Sequence, residues 1–219
     1  MAEGRSVTID VVSDVICPWC FIGKRRMEKA LAELAGEFEV EVSWLPFQLN
    51  PDMPLEGVVR AEYRKAKFGS LEKARARDEA VAAEGAGEGI AFAFERIKRT
   101  PNTFAAHQLI DLAQQEGVGG TVVEALFAAY FLDARDIGDR KVLASIAEAS
   151  GLERGLVEAR WADKAEAQRV AREERSMREL GISGVPTFII ADRYGVSGAQ
   201  PPQVLADAVR EAAGSLEQG

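Results

Sequence analysis

Cysteine and histidine are scarce in this sequence: 219 residues include two cysteines and one histidine. A zinc site usually needs four protein ligands. The remaining ligands of a metal bound here would therefore have to be carboxylates. We expect no metal site.

The chain also lacks an excess of positive charge and lacks long apolar runs. Its 27 lysine and arginine residues are outnumbered by 35 aspartate and glutamate residues, and the net charge is −8. Nucleic-acid binders present a basic face, so we expect no nucleic-acid partner. No segment approaches the roughly 18 apolar residues that span a bilayer, so we expect no membrane partner.

Residues 1–6 lead directly into a strand pattern, with no apolar targeting segment before it. We therefore expect a cytoplasmic location. In a reducing compartment, a lone cysteine pair is more often catalytic or redox-sensing than structural.

Both cysteines lie in the segment Cys17-Pro18-Trp19-Cys20, after an alternating apolar run and before a helical pattern that begins near Phe21. The first thiol would stand at the start of a helix, where unpaired N–H groups and the helix dipole favour a thiolate. Pro18 suits the first helical turn, which has no partner for an N–H group. We predict that Cys17 is the attacking nucleophile and Cys20 the resolving thiol. Two buried, inert thiols are the alternative.

The hydrophobic pattern predicts an α/β fold. Alternation over residues 7–12 and 39–45 flanks a helical pattern that ends near Gly36, which describes a βαβ unit with a right-handed crossover. Only helical periodicity follows from about residue 55 to 180. Residues 187–197 then return to a strand hairpin, and a closing helix follows.

This order, βαβ…ββα with helices between, is that of a thioredoxin-like fold interrupted by a large all-helical insertion. We place the thioredoxin-like domain at residues 5–50 and 163–215, and the insertion at residues 51–162. The insertion is expected to cap the edge of the sheet that carries the cysteines.

The segment Gly184–Thr187 enters the predicted hairpin and is the second part of the candidate site. In a thioredoxin-like fold a proline at the position of Pro186 is typically cis and faces the dithiol. A proline that merely ends an edge strand is the alternative. The backbone of Val185 would pair with an extended peptide or a thiol ligand.

Further residues are candidates for substrate contact, and most have a structural alternative. Pro18 and Trp19 lie between the thiols, and Trp19 would either shield the disulfide or pack against the cap. His107 shares a helix face with apolar residues, which favours a half-buried structural histidine. Alternatively, it lies at the opening of the helical cap and stabilises a thiolate or binds substrate. Asn102 is most simply a helix cap. Asp14 would form a turn, raise a thiol pKa or relay a proton.

Charged residues elsewhere are interpreted as solvent-facing. Arg25 and Arg26 follow the dithiol, and either could favour a thiolate. The run from residue 71 to 84 is rich in alanine, arginine and glutamate, which predicts a solvated helix ended by the glycines at 85, 87 and 89.

Four ordered motifs resemble the FrnE-type branch of the DsbA-like proteins over about residues 7–209. They are Asp14-x-x-Cys17-Pro18-Trp19-Cys20-Phe21-Ile22-Gly23, Pro101-Asn102-Thr103-x-x-Ala106-His107, Gly181-Ile182-x-Gly184-Val185-Pro186-Thr187-Phe188 and Val196-Ser197-Gly198-Ala199-Gln200. The resemblance implies a thioredoxin fold with a helical insertion, and dithiol–disulfide oxidoreductase activity on a thiol or disulfide substrate, either a protein or a small molecule. It assigns the nucleophile to Cys17, the resolving thiol to Cys20 and the cis-proline to Pro186. Exported DsbA proteins carry a secretion signal and often a histidine between the thiols, and this sequence has neither.

The same superfamily contains 2-hydroxychromene-2-carboxylate isomerases and kappa-class glutathione transferases, which typically have serine where Cys17 stands. A glutathione-dependent isomerase or transferase is therefore the alternative function. Glutathione would act as a co-substrate, and no bound cofactor is expected. A non-catalytic binding module is a third alternative, and the sequence leaves open whether the chain forms a homodimer.

Overall fold

The computed structural model describes residues 5–216. The prediction that no targeting segment precedes the first strand rests mostly on residues 1–4, which lie outside this range. The strands are β1 (Arg5–Ser13), β2 (Phe38–Pro46), β3 (Val58–Val59), β4 (Arg99–Thr100), β5 (Thr187–Ile190) and β6 (Tyr194–Ser197). The helices are α1 (Pro18–Leu34), α2 (Arg60–Phe68), α3 (Leu71–Gly87), α4 (Phe104–Gln115), α5 (Gly119–Phe131), α6 (Arg140–Ala149), α7 (Arg154–Ala162), α8 (Lys164–Glu179) and α9 (Pro202–Leu216), with a 3-10 turn at Phe94–Arg96.

A four-stranded mixed sheet lies at the centre, in the order β2-β1-β5-β6. Strand β1 is parallel to β2 and antiparallel to β5, and β5 is antiparallel to β6. The predicted βαβ unit, the C-terminal ββα unit and the α/β thioredoxin-like class with a helical insertion are confirmed.

The two faces of β1 are both covered, because successive side chains of a strand point to opposite faces. Val11 belongs to the large core that includes residues of α1 and α9, whereas Val12 packs in a smaller cluster with Phe47 and Met177 of α8. The strand that leads to the cysteines is thus held between two layers of helices.

The insertion and the sheet share one continuous hydrophobic core. Phe21, which follows Cys20 directly, stacks on Phe127 of α5 with ring centroids 5.0 Å apart and meets Phe92 edge-on at 6.1 Å. Burying an aromatic side chain of this kind contributes roughly 1.5–3 kcal/mol. The insertion therefore fixes the helix that carries the dithiol. The proposed domain limits stay a prediction.

A short antiparallel ribbon inside the insertion was not expected. Val58 pairs with Thr100 and Val59 with Arg99. The expectation of purely helical structure over residues 55–180 is therefore wrong at these positions. Strands of two residues are too short to produce a recognisable alternation.

Helix α3 ends within the group of glycines that was expected to end it. Gly85 and Gly87 are both helical, and the helix ends at Gly87. A Cβ atom on Gly85 would lie 2.4 Å from the ring of Phe92, so this glycine is needed for packing. Between residues 5 and 216, no helix combines the length and the apolar character needed to cross a membrane.

Gly23 allows α1 to approach the loop that precedes β5. A Cβ atom added there would lie 2.9 Å from Cγ of Pro186 and 3.3 Å from Cζ of Phe188. Both neighbours are ring atoms with little freedom to move away. A glycine in the second turn of α1 thus sets the distance between the dithiol helix and Pro186.

We predict that Gly23→Ala destabilises the protein by about 1–3 kcal/mol, the usual cost of overpacking a core. The matched control is Gly120→Ala in α5, where an added Cβ meets nothing within 4 Å. Alanine is the better helix former, so the control is expected to be neutral or more stable by about 0.5 kcal/mol. Urea unfolding monitored by circular dichroism measures both changes, and equal stability of the two variants would contradict the prediction.

Candidate active site

The two cysteines lie at the carboxyl end of β1, where the chain turns into α1. Cys17 occupies the N-cap position with extended backbone angles, and Pro18 begins the helix. Both thiols are buried, with 5% of Cys17 and 1% of Cys20 exposed. Both are in the free thiol form.

The environment makes the two thiols unequal. The pKa of Cys17 is lowered by a hydrogen bond from the Cys20 thiol, and the backbone N–H groups of Cys20 and Trp19 add to this effect against the opposing effect of burial. Burial raises the pKa of Cys20 well above its ordinary value, and the neighbouring charge of Cys17 raises it further. Cys17 is therefore the thiol that ionises first, as a nucleophile requires.

The loop before β5 forms the wall opposite Cys17. The Val185–Pro186 peptide bond is cis. The Cys17 thiol donates a hydrogen bond to the Val185 carbonyl at 3.6 Å. The Pro186 carbonyl in turn accepts from the N–H of Gly198 at 2.8 Å, which ties the loop to the end of β6.

Cys17 opens onto a cavity of about 420 Å³ between the sheet edge and the insertion. Pro18, Trp19 and Val185, three of the residues predicted to contact substrate, also line it. Trp19 is 39% exposed, so it lies at the rim and not under the cap. The volume is in the range of about 300–1,000 Å³ that is typical of sites for small molecules.

His107 and Asn102 do not line this cavity. His107 is 4% exposed, and its Nε2 lies 3.5 Å from Oδ1 of the fully buried Asp14. The Asn102 amide donates to the Met53 carbonyl at 2.7 Å, and its oxygen accepts from the N–H of Phe104 at the start of α4. The structural alternatives given for these two residues are therefore the better interpretation.

Asp14 takes two of its suggested roles: its carbonyl closes a turn by accepting from the N–H of Cys17 at 2.9 Å, and its charge raises a thiol pKa. Its Oδ2 accepts a hydrogen bond from the N–H of Leu49 at 2.7 Å, which holds the segment after β2 against the loop that carries Cys17. Its charge also raises the pKa of Cys17, an effect smaller than that of the hydrogen bond from Cys20.

Arg25 and Arg26 connect α1 to other parts of the fold, so their interpretation as solvent-facing residues is wrong. Arg25 forms an ion pair with Glu124 of α5. Arg26 pairs with Glu88 at 2.7 Å and donates to the Ala199 carbonyl at 2.6 Å, with 15% of its side chain exposed. These contacts fix the orientation of α1, and neither guanidinium lines the cavity.

Helices α2 and α3 contribute cavity residues that the sequence analysis missed. Arg77, Asp78 and Val81 of α3 line the cavity, although the run from residue 71 to 84 was interpreted as a solvated face only. Tyr63 and Arg64 of α2 line it as well. The only sequence signal for them is arginine and tyrosine placed at helical spacing, which solvent-exposed helices show equally.

Comparison with known proteins identifies the family. A family model described as a DSBA-like thioredoxin domain matches residues 8–210. A probable DsbA oxidoreductase from Streptomyces coelicolor is 36% identical in sequence, and the match covers 95% of this chain and 90% of that one with a TM-score of 0.86. The chain belongs to the DsbA-like thioredoxin-domain family, which confirms the resemblance, and it is an enzyme of the thiol–disulfide oxidoreductase class.

More distant structures share the fold. A 2-hydroxychromene-2-carboxylate isomerase matches with a TM-score of 0.71 at 16% identity, over 97% of this chain and 99% of that chain. The cytosolic disulfide reductase DsbM from Pseudomonas aeruginosa, solved with GSH, matches with a TM-score of 0.59 at 19% identity, over 96% of this chain and 98% of that chain. At these identities the likeness concerns the fold alone.

We predict that Cys20→Ala raises the pKa of Cys17, because it removes the largest cause that lowers it. A lowered pKa keeps the thiolate present at lower pH, so the alkylation profile of Cys17 should move to higher pH in this variant. Alkylation at neutral pH should slow by about tenfold, since a hydrogen bond to a charged group contributes roughly 1.5 kcal/mol or more.

Cys20→Ser is the matched control, because its hydroxyl keeps a donor near Cys17 and should give a smaller shift. The rate of iodoacetamide modification against pH, followed by mass spectrometry, measures both variants. An unchanged midpoint in Cys20→Ala would show that the hydrogen bond does not set the pKa.

Proposed function

We propose that this member of the DsbA-like family catalyses thiol–disulfide exchange with Cys17 as nucleophile and Cys20 as resolving thiol, through a mixed disulfide. The observation that carries the proposal is the inequality of the two thiols, with the pKa of Cys17 lowered and that of Cys20 raised. A pair of this kind suits thiol–disulfide exchange, in which one thiol attacks and the other resolves the mixed disulfide.

In the reductive direction, the Cys17 thiolate attacks one sulfur of the substrate disulfide. The substrate S–S bond breaks, one substrate thiol leaves as a thiolate and takes a proton, and a Cys17–substrate disulfide forms. Cys20 then loses its proton and attacks Cys17, which releases the second substrate thiol. The substrate is reduced by two electrons and the Cys17–Cys20 disulfide forms. An external thiol, such as dithiothreitol in an assay, restores the dithiol.

The geometry around Cys17 suggests roles for the residues beside it. The Val185 carbonyl accepts from the Cys17 thiol in the resting state, and we propose that a bound substrate replaces the thiol as its hydrogen-bonding partner. Pro186 holds the loop under Gly23, and Pro18 and Trp19 form the wall of the cavity next to the sulfur.

The remaining proposals concern the setting of the reaction. We propose that the enzyme acts in the cytoplasm on a thiol or disulfide substrate, as the name of the distantly similar cytosolic reductase DsbM suggests. The thioredoxin-like part at residues 5–50 and 163–215 would supply both thiols, and the insertion at residues 51–162 would supply the outer cavity wall.

We predict that Cys17→Ser lowers turnover of a model disulfide with dithiothreitol by at least about a hundredfold, because it removes the attacking thiolate. Cys20→Ser should instead stop after the first step and accumulate a protein–substrate mixed disulfide that intact-mass measurement detects. Ser176→Ala in α8 serves as a control for unrelated loss of a hydroxyl side chain. Full activity in Cys17→Ser would exclude the proposed mechanism.

A glutathione-dependent isomerase or transferase is the second candidate. The cavity beside Cys17 supports this candidate. Its volume of about 420 Å³ admits glutathione, or part of glutathione, together with a small second substrate. Glutathione conjugation or isomerisation that survives Cys20→Ser would support this candidate, since such chemistry needs no resolving thiol. Loss of all activity in that variant would favour exchange.

A further inference from the structure

We propose that the cavity beside Cys17 is a binding site for small disulfides that carry carboxylate groups, with Lys67 and Arg77 as the residues that recognise the carboxylate. This inference rests on the proposed function, because it identifies the substrate class of the same thiol pair. It is carried by the charges and aromatic rings that helices α2 and α3 place in the cavity wall.

The cavity is positively charged in an acidic protein. Its charged lining residues are Arg60, Arg64, Lys67, Arg77 and Asp78, which is four cations against one carboxylate, or a net charge of +3. The whole chain carries −8. A concave site with low-dielectric walls strengthens the local potential and attracts ligands of the opposite sign. The charge distribution therefore selects for an anion at this position.

Two of the four cations already share a carboxylate partner within the wall. Asp78 accepts from Arg60 at 3.1 Å and also pairs with Arg64. Burial raises the pKa of Asp78, while the two guanidinium groups act in the opposite direction. This cluster joins α2 to α3, which matters because α2 has no fully buried residue of its own.

The other two cations lack a carboxylate partner. Within residues 5–216 neither Lys67 nor Arg77 takes part in a salt bridge, whereas Arg60 and Arg64 on the same wall do. Lys67 donates to the Tyr63 hydroxyl at 2.9 Å. Both side chains lie near the ring of Phe68, whose centroid is 5.9 Å from Nζ of Lys67 and 5.1 Å from Cζ of Arg77. Two exposed cations held on one aromatic ring form a preorganised site for a carboxylate.

The rest of the lining suits the carbon skeleton of a small molecule. Phe94, Tyr130 and Phe131 form an aromatic floor, and Trp19 stands at the rim. Only 5% of Cys17 is exposed, and its sulfur faces the cavity rather than an open surface. A small disulfide can place its sulfur at Cys17 and its carboxylate near α2 and α3, whereas a folded protein would need a reactive loop able to enter.

The test compares three small disulfides of similar length: 3,3′-dithiodipropionate with two negative charges, 2-hydroxyethyl disulfide with none, and cystamine with two positive charges. The rate constant for oxidation of the fully reduced protein is measured for each by acid quenching and thiol alkylation. Each variant is compared with the wild type on the same disulfide, so that differences in intrinsic reactivity cancel.

We expect Lys67→Glu/Arg77→Glu to lower the rate with dithiodipropionate by roughly tenfold, to leave hydroxyethyl disulfide within about twofold, and to raise the rate with cystamine. Lys67→Gln/Arg77→Gln should give smaller changes in the same directions. The matched control is Lys65→Glu/Arg75→Glu, which makes the same change of charge on the same two helices at exposed positions that do not line this cavity. It should change all three rates by less than about threefold.

The inference would be overturned if Lys67→Glu/Arg77→Glu changed the rates with all three disulfides equally, or if it had the same effect as the control Lys65→Glu/Arg75→Glu. Either result would leave the exchange function intact. If the wild-type protein reacts with none of the disulfides, the proposed function fails instead. Binding of the redox-inert 3,3′-thiodipropionate, measured by calorimetry, then tests the carboxylate site alone, and binding that persists unchanged in Lys67→Glu/Arg77→Glu would contradict it.

Discussion

The close approach between the first turns of α1 and the loop before β5 is the constraint on which the site depends. The loop can reach Cys17 because position 23 has no side chain, and Pro186 fills the space that a Cβ would take. The result is a sulfur 3.6 Å from the Val185 carbonyl. Helix and loop come from opposite ends of the chain, so the site exists only when β1 and β5 pair correctly. Strand register is therefore part of the catalytic geometry.

The insertion holds α1 in place and forms one wall of the cavity beside Cys17. On one side, Phe21 is stacked on Phe127, and the ion pairs of Arg25 and Arg26 hold α1 from the outside. On the other side, α2 and α3 close over the thiol with a charged wall. The sheet and α1 hold the sulfur and its hydrogen-bonding partners, and we propose that the insertion restricts what reaches it. When the redox centre and the substrate-contacting wall lie in different parts of a fold, changes in the wall alone can adapt the same centre to different substrates.

The sequence predicted the elements whose patterns are long and local. Strands β1 and β2 and helix α1 have clear periodicity, and the position of the cysteines between β1 and α1 pointed to the candidate site. The β3–β4 ribbon was missed because a strand of two residues is too short to show an alternation of apolar and polar side chains. Lys67 and Arg77 were missed for a different reason: a helix with cations along one side is ordinarily solvated, and only the tertiary fold turns that side toward Cys17. His107 had two interpretations, and its burial against Asp14 agrees with the structural one, which the apolar helix face had favoured.

Whether Cys17 and Cys20 form one reversible redox pair is tested most directly by their equilibrium oxidation in buffers of reduced and oxidised glutathione, measured by thiol alkylation and mass spectrometry. Both thiols should lose reactivity together in a single two-electron transition, with the protein mass lower by two hydrogens and no lasting glutathione adduct. Two thiols that stay alkylatable in every buffer, or that oxidise independently of each other, would contradict this prediction.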